Sequence, residues 1–361
     1  MKKKVLFLLP SICGGGAERV IVTLINSINH SEFYTILVVI NKSDISNEYK
    51  VSPDKLIRLE EQRVIFSARK ISNIIINEKP DIIFSTLTYL NCYIGGLLFF
   101  LNTKSKIIFR ESTLPTLNHK KYFLPFLYDF LVKITYTKAD IVVCQSKDMV
   151  VDLLSIAEVQ NKVIIIPNPI DFHETSKSNY KIDLENFQGL VFLTVAMLRS
   201  EKGINRLLGV LSKMEIPFRY YIIGEGPERN TLQLLVEELK LSDRVFFMGY
   251  SKTPWEIVNP DLVTAYLQGS YYEGFPNVLL EAGIRGIPLL ANKCSGGTSE
   301  IINNGVNGFL FTDFESFNSS ITSIKNGYIN REVVKLDIEK RFSLTSIVAQ
   351  YENLFNDLIT K

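Results

Sequence analysis

The sequence predicts an α/β protein built from two doubly wound parallel-sheet domains that face a cleft. Continuous apolar runs, such as residues 5–9, are typical of parallel strands that are covered on both faces. Segments of helical periodicity separate most of these runs, and the alternation restarts near residue 190. A chain of 361 residues is also long for one hydrophobic core and comfortable for two.

The first half of the chain carries the alternation from its start. Residues 5–9 run into a glycine loop at 14–16, and a helical pattern follows at 17–28. Further strands are predicted at 35–40, 82–84, 107–109, 141–143 and 163–166. Pro167 and Pro169 then end the last strand, because proline lacks the amide donor that a strand needs. The domains are therefore predicted at 1–167 and 168–343.

The second half repeats the pattern and ends in a helix. Strands are predicted at 190–195, 218–223, 245–248, 262–266 and 289–291. Residues 344–358 have helical periodicity. In doubly wound parallel sheets, ligands bind beyond the carboxyl ends of the strands, so the loops that follow the strands are the places to look for functional side chains.

The composition excludes several classes of protein. The formal net charge of +2 argues against a nucleic-acid-binding surface. The four cysteines are far apart and include no C-x-x-C pair, so neither a zinc site nor a disulfide framework is indicated, and we expect a cytoplasmic protein. No Asp-x-Asp pair is present to hold a divalent ion, and we predict no metal and no other cofactor.

Two apolar segments imitate membrane-targeting sequences. The run at 5–9 stops at Pro10 and is shorter than the apolar region of a signal peptide. Residues 82–101 carry no charge, and this length is sufficient for a transmembrane helix. Polar residues interrupt the first half of this segment and a glycine pair interrupts the second. We therefore favour a buried strand, a polar loop and a helix.

The most informative stretch of the sequence lies at 273–288, where we predict a loop followed by a helix. Pro276 suits the first turn of a helix, because its φ is already helical and its missing N–H would have no partner there. The unpaired N–H groups at a helix start can hold a phosphate or a sugar hydroxyl. Glu273 precedes this end and Glu281 is predicted about two turns inside the helix. Both carboxylates can accept hydrogen bonds from a polyol.

The stretch closely resembles the E-x7-E signature of the retaining glycosyltransferases of family 4, which have the GT-B fold of two Rossmann-like domains. The spacing of Glu273 and Glu281, the aromatic residue after Glu-Gly, and the following Glu-Ala-Gly and Gly-Ile-Pro all agree. The resemblance implies that Glu273 contacts the hydroxyls of the donor sugar, that Glu281 contacts the ribose, and that a helix at 344–361 packs back on the first domain. The neighbours implied in donor binding are Gly274, Phe275, Pro276 and Asn277. Without this context, the pair would be two surface glutamates of an amphipathic helix.

Two glycine-containing loops extend the resemblance. The first looks like the loop that lies against the donor diphosphate and sugar in many family 4 enzymes, and the second follows a strand of the second half. The residues implied in donor binding are Gly14, Gly15, Gly16, Gly224 and, near the nucleobase, Tyr250. Both loops also match a dinucleotide-binding fingerprint incompletely, because Arg19 and Arg229 stand where the last glycine would be.

Two basic residues lie in the loop after the strand at 190–195. Arg199 and Lys202 are close enough in the sequence to meet at one anion, since a guanidinium grips phosphate with a planar fork and a lysine adds a point charge. The string from Arg199 to Gly203 is similar in character to the Arg-x-x-x-Lys-Gly pattern of family 4, although here two residues instead of three separate the arginine from the lysine. The resemblance assigns both cations to the donor diphosphate.

The acceptor side is indicated more weakly. Arg110 and Glu111 follow a predicted strand, at a place where many relatives carry a histidine or a short charged motif that faces the acceptor. Between 118 and 138, lysines that include Lys120 and Lys121 alternate with aromatic rings, and such a mixture can rest on an anionic membrane. The same pattern also fits a helix whose apolar face lies in the core. We predict these four residues on the acceptor side and a peripheral contact with the cytoplasmic membrane face.

The resemblance implies a retaining, metal-independent transferase that moves a hexosyl or N-acetylhexosaminyl group from a nucleotide-diphosphate sugar, with UDP favoured. The expected acceptor is a saccharide or lipid-linked saccharide of bacterial polysaccharide or O-antigen assembly. Arg199, Lys202 and Glu273 are the predicted catalytic residues. Attack on the same face as the leaving group is favoured over a covalent intermediate on Glu273. An NAD(P)-linked oxidoreductase, a GT-B epimerase and a non-catalytic sugar-nucleotide binding module remain alternatives.

Overall fold

The computed structural model describes residues 2–13, 15–42, 48–119, 125–172, 182, 184 and 187–360, without the side chains of residues 118 and 119. The chain divides into two compact units. Unit 1 is Met1–Asp171 with Leu344–Lys361, and unit 2 is Phe172–Ser343. The division after Asp171 lies four residues beyond the boundary predicted after residue 167.

Unit 1 is built on a parallel sheet with the strand order β3-β2-β1-β4-β5-β6-β7 within the described residues. Its strands are β1 (Lys3–Leu9), β2 (Phe33–Asn41), β3 (Lys55–Glu61), β4 (Ile82–Thr86), β5 (Lys106–Arg110), β6 (Ile141–Cys144) and β7 (Val163–Ile165). The order reverses between β1 and β4, which is a topological switch point. The strand β3 was not predicted. It is a sheet edge paired with β2 alone among the described residues, and its charged sequence has one buried residue and lacks an apolar run.

The helices between these strands are α1 (Gly16–Ser27), α2 (Ala68–Glu78), α3 (Thr88–Leu98), α4 (Pro115–His119), α5 (Pro125–Thr135) and α6 (Lys147–Leu154). The uncharged segment at 82–101 forms β4, a short turn and α3, which confirms the predicted strand, loop and helix. Throughout the described ranges, the helices lack the combination of length and apolar character needed to cross a bilayer.

Unit 2 is built on a second parallel sheet, in the order β10-β9-β8-β11-β12-β13 for the described residues. Its strands are β8 (Leu190–Val195), β9 (Phe218–Ile223), β10 (Val245–Gly249), β11 (Ala265–Gln268), β12 (Leu289–Asn292) and β13 (Gly308–Phe311). The switch point lies between β8 and β11. The strand predicted at 262–266 starts later than predicted, because residues Pro260–Leu262 form a 3-10 helix.

The helices of unit 2 are α7 (Ile204–Leu211), α8 (Arg229–Glu238), α9 (Asn277–Gly283), α10 (Thr298–Ile301), α11 (Phe314–Lys325) and α12 (Arg331–Phe342). Short 3-10 helices elsewhere lie at Val64–Ser67, Tyr136–Lys138, Gln160–Lys162, Ser200–Lys202 and Pro254–Glu256. The core of unit 2 contains apolar side chains of the strands together with those of α7, α8, α11 and α12.

A long helix, α13 (Leu344–Thr360), completes the core of unit 1. Its Phe355 ring lies 5.8 Å from the Phe33 ring and 6.1 Å from the Phe84 ring, between ring centroids. Tyr351 contacts Phe84 in the same cluster at 5.9 Å. Aromatic pairs at these distances stabilise a core beyond the area that they bury. The helix therefore covers strands that lie far from it in the sequence.

Candidate functional site

Three loops meet at the carboxyl edge of the unit 2 sheet, on both sides of its switch point. They follow β8, β11 and β12, and they touch through glycines. A Cβ atom added at Gly203, where φ is +58°, would lie 2.0 Å from the Gly269 carbonyl oxygen. One added at Gly296, where φ is +109°, would lie 1.6 Å from the Glu273 carbonyl oxygen. Because only glycine accepts both the backbone angle and the contact, these residues fix the loops against each other.

The loops bring Lys202 and Glu273 into an ion pair. Lys202 Nζ donates to Glu273 Oε1 at 2.7 Å and to Oε2 at 3.0 Å. Ser270 Oγ donates to Glu273 Oε1 at 2.7 Å, and Gln268 Nε2 approaches the same oxygen at 3.3 Å. The Glu273 side chain is only 11% exposed, so the charge-assisted hydrogen bonds hold it in one place.

Thr298 and Cys294 extend the hydrogen-bond network that reaches this carboxylate through Gln268. Thr298 Oγ1 donates to Gln268 Oε1 at 3.3 Å, which leaves the Gln268 amide nitrogen for Glu273. Cys294 Sγ donates to Thr298 Oγ1 at 3.4 Å, and burial raises the pKa of the Cys294 thiol. The sequence reasoning missed Gln268, Ser270 and Thr298. The available signal was their position at or beyond the carboxyl ends of β11 and β12: Gln268 ends β11, Ser270 follows it, and Thr298 begins α10 after β12.

Glu281 lies inside unit 2 and is only 9% exposed, so it is not a surface glutamate. Helix α9 begins at Asn277, which makes Glu281 its fifth residue, little more than one turn of about 3.6 residues from its start. The predicted two turns were therefore an overestimate, and Pro276, predicted in the first turn, takes the N-cap position. Trp255 Nε1 donates to Glu281 Oε2 at 2.8 Å, a contact that sequence reasoning also missed.

The two glutamates lie near one buried tyrosine. Tyr266 in β11 is 1% exposed, and its hydroxyl donates to the Val195 carbonyl at 3.0 Å. Burial raises the pKa of Tyr266 well above its usual value, and the charges of Glu281 and Glu273 add to this effect. The charges of Glu273 and Glu281 therefore both act on Tyr266 in β11.

Arg199 belongs to the same loop as Lys202 but is held differently. Its guanidinium Nη1 lies 3.9 Å from Glu201 Oε1, and half of the side chain is exposed. It lines a surface cavity of about 470 Å³ together with Asn205 and Tyr271. Lys202 is thus held by a carboxylate, whereas Arg199 is half exposed at a cavity that Glu228 and Glu238 also line.

The second glycine loop packs against the first loop of unit 2. Gly224 has a φ of +144°, and a Cβ atom there would lie 1.9 Å from the Ala196 carbonyl oxygen. Gly226 approaches the Leu198 carbonyl oxygen in the same way, with 2.3 Å for its added Cβ. These contacts explain both glycines without a dinucleotide. Tyr250 follows β10 and is 71% exposed, so its ring is accessible for stacking.

The predicted donor loop of unit 1 is described in part. Gly14 lies outside the described residues; Gly15 is the N-cap of α1 and Gly16 its first residue. In the first turn, burial raises the pKa of Glu18, an effect that its own backbone N–H and the charge of Arg110 partly oppose.

The predicted acceptor residues Arg110 and Glu111 are buried within unit 1, at 1% and 0% exposure. Glu111 accepts hydrogen bonds from Thr88 Oγ1 at 2.6 Å and from the Tyr136 hydroxyl. Arg110 Nη2 donates to Asn168 Oδ1 at 2.5 Å. Both side chains therefore connect strand ends inside the unit, and a direct acceptor contact stays a prediction. The other two predicted acceptor residues, Lys120 and Lys121, lie outside the described residues.

The described side chains include no cluster of three or more His, Cys, Asp or Glu residues placed to hold a metal ion. Lys202 and Arg199 are cations of the loop that follows β8, and Arg206 of α7 also reaches this edge, where its Nη1 donates to Asn292 Oδ1 at 2.9 Å. An anionic ligand at this edge would therefore meet protein cations and backbone N–H groups.

Two family profiles match consecutive parts of the chain. The family described as Glycosyltransferase Family 4 matches residues 14–174, and the one described as Glycosyl transferases group 1 matches residues 177–340. Two parallel-sheet units with a charged site at the switch point of the second define a GT-B protein. The chain belongs to the family 4 glycosyltransferases.

Characterised relatives are similar at low identity. The lipopolysaccharide 1,6-galactosyltransferase of Escherichia coli K12 is 29% identical over 206 residues, which is 56% of this chain and 55% of that protein. The chain thus spans about half the length of that relative. A Campylobacter jejuni relative is 25% identical, with 87% of each chain covered. It is named N-acetylgalactosamine-N,N'-diacetylbacillosaminyl-diphospho-undecaprenol 4-alpha-N-acetylgalactosaminyltransferase.

Solved structures share the fold over nearly the whole chain. The apo form of the lipopolysaccharide outer core galactosyltransferase WaaB has a TM-score of 0.77 at 22% identity, with 98% of this chain and 99% of that chain covered. HepE of Anabaena in complex with UDP has a TM-score of 0.78 at 17% identity, with 98% and 100% covered. At these identities the likeness establishes the GT-B fold.

Proposed function

We propose that the protein is a retaining glycosyltransferase that transfers a hexosyl or N-acetylhexosaminyl group from a UDP-sugar to an acceptor hydroxyl. The observation that carries this proposal is the ion pair of Lys202 and Glu273 at the switch point of unit 2. A sugar nucleotide offers hydroxyls next to a diphosphate, and this pair offers an acceptor of hydroxyl hydrogen bonds next to a cation.

In the proposed reaction, the bond between the sugar's anomeric carbon and the diphosphate oxygen breaks while the acceptor oxygen attacks the same face. The electron pair leaves with the diphosphate, and a phosphate oxygen accepts the acceptor's proton. Lys202 and the exposed Arg199 stabilise the negative charge that develops, an electrostatic effect worth about 10²–10³-fold in rate per donor group. No metal ion is needed in this scheme.

The carboxylates position the donor in this proposal. Glu273, held by Ser270 and Gln268, accepts hydrogen bonds from the sugar hydroxyls. Glu281, held by Trp255, accepts from the ribose hydroxyls. Because both carboxylates are fixed by neighbouring donors, neither has to be ordered when the substrate binds, which favours binding.

Relatives support the choice of UDP and of a lipid-linked acceptor. The Anabaena HepE structures contain UDP and UDP-glucose. The name of the Campylobacter relative includes a diphospho-undecaprenol acceptor, and that of the Escherichia coli relative includes lipopolysaccharide. We extend this to the present chain as a saccharide or lipid-linked saccharide acceptor, reached from the cytoplasmic side of the membrane.

A donor screen followed by an anomer assignment tests the proposal. Among UDP-, GDP- and ADP-sugars, only UDP-sugars should raise the melting temperature. NMR of the product should show the same anomeric configuration as in the donor. Turnover should be unaffected by EDTA. The double variant Arg199→Ala with Lys202→Ala should lose at least about 10³-fold in transfer. Lys213→Ala, a cation on the opposite end of α7, is the matched control and should retain activity. Inversion of the anomer, or full activity in the double variant, would refute the mechanism.

A further inference from the structure

Helix α5 of unit 1 carries its apolar residues on two opposite faces. One face contributes Tyr128, Val132 and Thr135 to the interior. The outward face consists of exposed apolar side chains at helical spacing, and they are Phe126, Leu127, Phe130, Leu131 and Ile134. Solvent-facing helix surfaces are ordinarily polar, so an apolar outward face of this kind marks an interaction surface.

The end of α3 extends this face. Gly95 of α3 lies against Thr135 of α5 so closely that an added Cβ would be 2.7 Å from the Thr135 carbonyl oxygen. Just beyond α3, the Lys138 Nζ lies 4.2 Å from the centroid of the Phe99 ring. The next residue, Phe100, is 91% exposed. We call Phe99, Phe100 and the five outward residues of α5 the apolar corner.

We propose that the apolar corner docks on the surface of an anionic lipid bilayer. The surrounding sequence is basic, since residues 118–138 contain four lysines and one acidic residue, Asp129. Lys133 and Lys138 lie on the described part of this segment. Lys133 is paired with Glu158 at 2.9 Å, so Lys138 is the described lysine whose charge is offered to lipid phosphates. Aromatic and aliphatic side chains enter the boundary between headgroups and acyl chains, and lysines then reach the lipid phosphates. The inference rests on the proposed function only in that a lipid-linked acceptor would lie at the same surface.

A second copy of the chain fits the corner less well than lipid. A two-fold contact would place the same basic segment on both partners, so two surfaces of the same net positive charge would be brought together. Like charges brought together at an interface oppose association. An anionic bilayer covers the same apolar side chains and supplies charges of the opposite sign. The charge of the segment therefore favours lipid as the occupant.

Vesicle flotation of the full chain, without donor or acceptor, tests the proposal. The probes are phosphatidylcholine vesicles with and without phosphatidylglycerol. We expect the wild type to float with the anionic vesicles and to be released by high salt. The variant Phe126→Ser with Phe130→Ser should lose at least about tenfold in partitioning, because two large apolar side chains no longer enter the bilayer. Lys138→Glu should weaken flotation with anionic vesicles only.

The matched control is Leu234→Ser with Leu336→Ser, which removes two apolar side chains of similar exposure from unit 2. It should float like the wild type. A UDP-induced thermal shift that is equal in all variants shows that they are folded. Equal flotation of the wild type and the Phe126 and Phe130 variant would overturn the proposal. The proposal would also be overturned if neither protein floats and the wild type forms a concentration-dependent dimer that this variant does not form. Flotation of a wild type that shows no UDP shift would count against the proposed function and not against the docking surface.

Discussion

Lys202 Nζ lies 2.7 Å from Glu273 Oε1, and this ion pair joins the loops that follow β8 and β11, the two strands on either side of the switch point. Each partner compensates the charge of the other in a setting that is largely closed to water. A bound donor diphosphate would share Lys202 with the Glu273 carboxylate. The pair is therefore central both to the stability of the loops and to the proposed reaction, and these two roles can be separated.

Replacing Lys202 by Met should reduce kcat/KM by at least about 100-fold, because a cation at the diphosphate is lost. It should also lower the free energy of unfolding by about 1–3 kcal/mol, because the largely buried Glu273 carboxylate loses its ion-pair partner. Adding Glu273→Gln should restore stability but not activity. Urea unfolding and transfer assays on the single and double variants measure both effects. Recovery of activity in the double variant would contradict the assigned role.

Replacing Trp255 by Phe should weaken donor binding through Glu281. The ring is retained, but the Nε1 hydrogen bond of 2.8 Å to the carboxylate is lost. We expect the donor KM to rise about five- to tenfold with little change in kcat, as for a hydrogen bond to a charged group. In the Glu281→Ala background, Trp255→Phe should have almost no further effect on KM. An equal effect in both backgrounds would show that Trp255 acts independently of Glu281.

Replacing Gly296 by Ala should disrupt the site loops. The new Cβ would meet the Glu273 carbonyl oxygen, and φ is +109°. We expect a loss of stability at least about 2 kcal/mol larger than that of Gly305→Ala, and a loss of UDP binding. Gly305 is the matched control, because it has a φ of +79° with nothing within 4 Å of its added Cβ. Similar melting temperatures and UDP shifts for both variants would contradict the steric argument.

Replacing Glu111 by Gln should remove a pH dependence of stability. Burial, opposed by hydrogen bonds from Thr88 and Tyr136, raises the pKa of Glu111 above its usual 4.5. The folded protein therefore holds this proton more tightly than the unfolded chain does. Its contribution to stability is fully present below the unfolded pKa and is lost as the pH rises through the folded pKa.

Relative to Glu111→Gln, the wild type should therefore lose stability as the pH rises above the usual carboxyl pKa of 4.5 and towards the raised pKa of the folded protein, by at most about 1.4 kcal/mol per pH unit. Urea unfolding across this range measures the difference. Glu339→Gln, at an exposed position of α12, is the control and should follow the wild type. A constant difference between wild type and Glu111→Gln would mean that the pKa of this carboxyl is the same in the folded and unfolded states.

The cysteines should differ in their reaction with a thiol reagent. Burial raises the pKa of Cys92 to about 12, so at pH 8 only about one thiol in 10⁴ is ionised. We expect Cys92 and the buried Cys144 to be labelled only after unfolding. Cys294 is less buried and should be labelled slowly in the native state. UDP should slow its labelling further, because Cys294 lies beside Thr298 under the site. Mass spectrometry of labelled peptides identifies each position, and rapid native labelling of Cys92 would contradict the burial.

Most strands were predictable because a parallel strand that is covered on both faces needs an unbroken apolar run. The run at 190–195 coincides with β8, and that at 218–223 with β9. The edge strand β3 was missed because most of its residues are charged and only one is buried, so burial imposes no apolar pattern on them. β3 is held in the sheet by its pairing with β2, and a pairing between separate segments leaves no pattern in the local sequence.

The meeting of Lys202 with Glu273 follows from topology, since both loops leave the carboxyl ends of neighbouring strands. The support from Trp255 could not be predicted, because a single aromatic residue 26 positions from Glu281 has no periodicity to reveal the contact. The burial of Arg110 and Glu111 was also hidden. A charged pair at a strand end is ordinarily solvated, and only the surrounding Thr88, Tyr136 and Asn168 make its burial possible.

The covering of Phe33 and Phe84 by Phe355 has a consequence for biosynthesis. A ribosome completes the unit 1 strands and then the whole of unit 2 before it reaches α13. Throughout that interval the aromatic rings of unit 1 lack the helix that covers them, whereas the last buried residue of the main apolar core of unit 2, Val334, is translated before α13 begins. Unit 2 can therefore complete its core before unit 1 does, although most of unit 1 is translated first. A nascent chain halted before residue 344 would expose the apolar surface of the unit 1 sheet to the cell's chaperones.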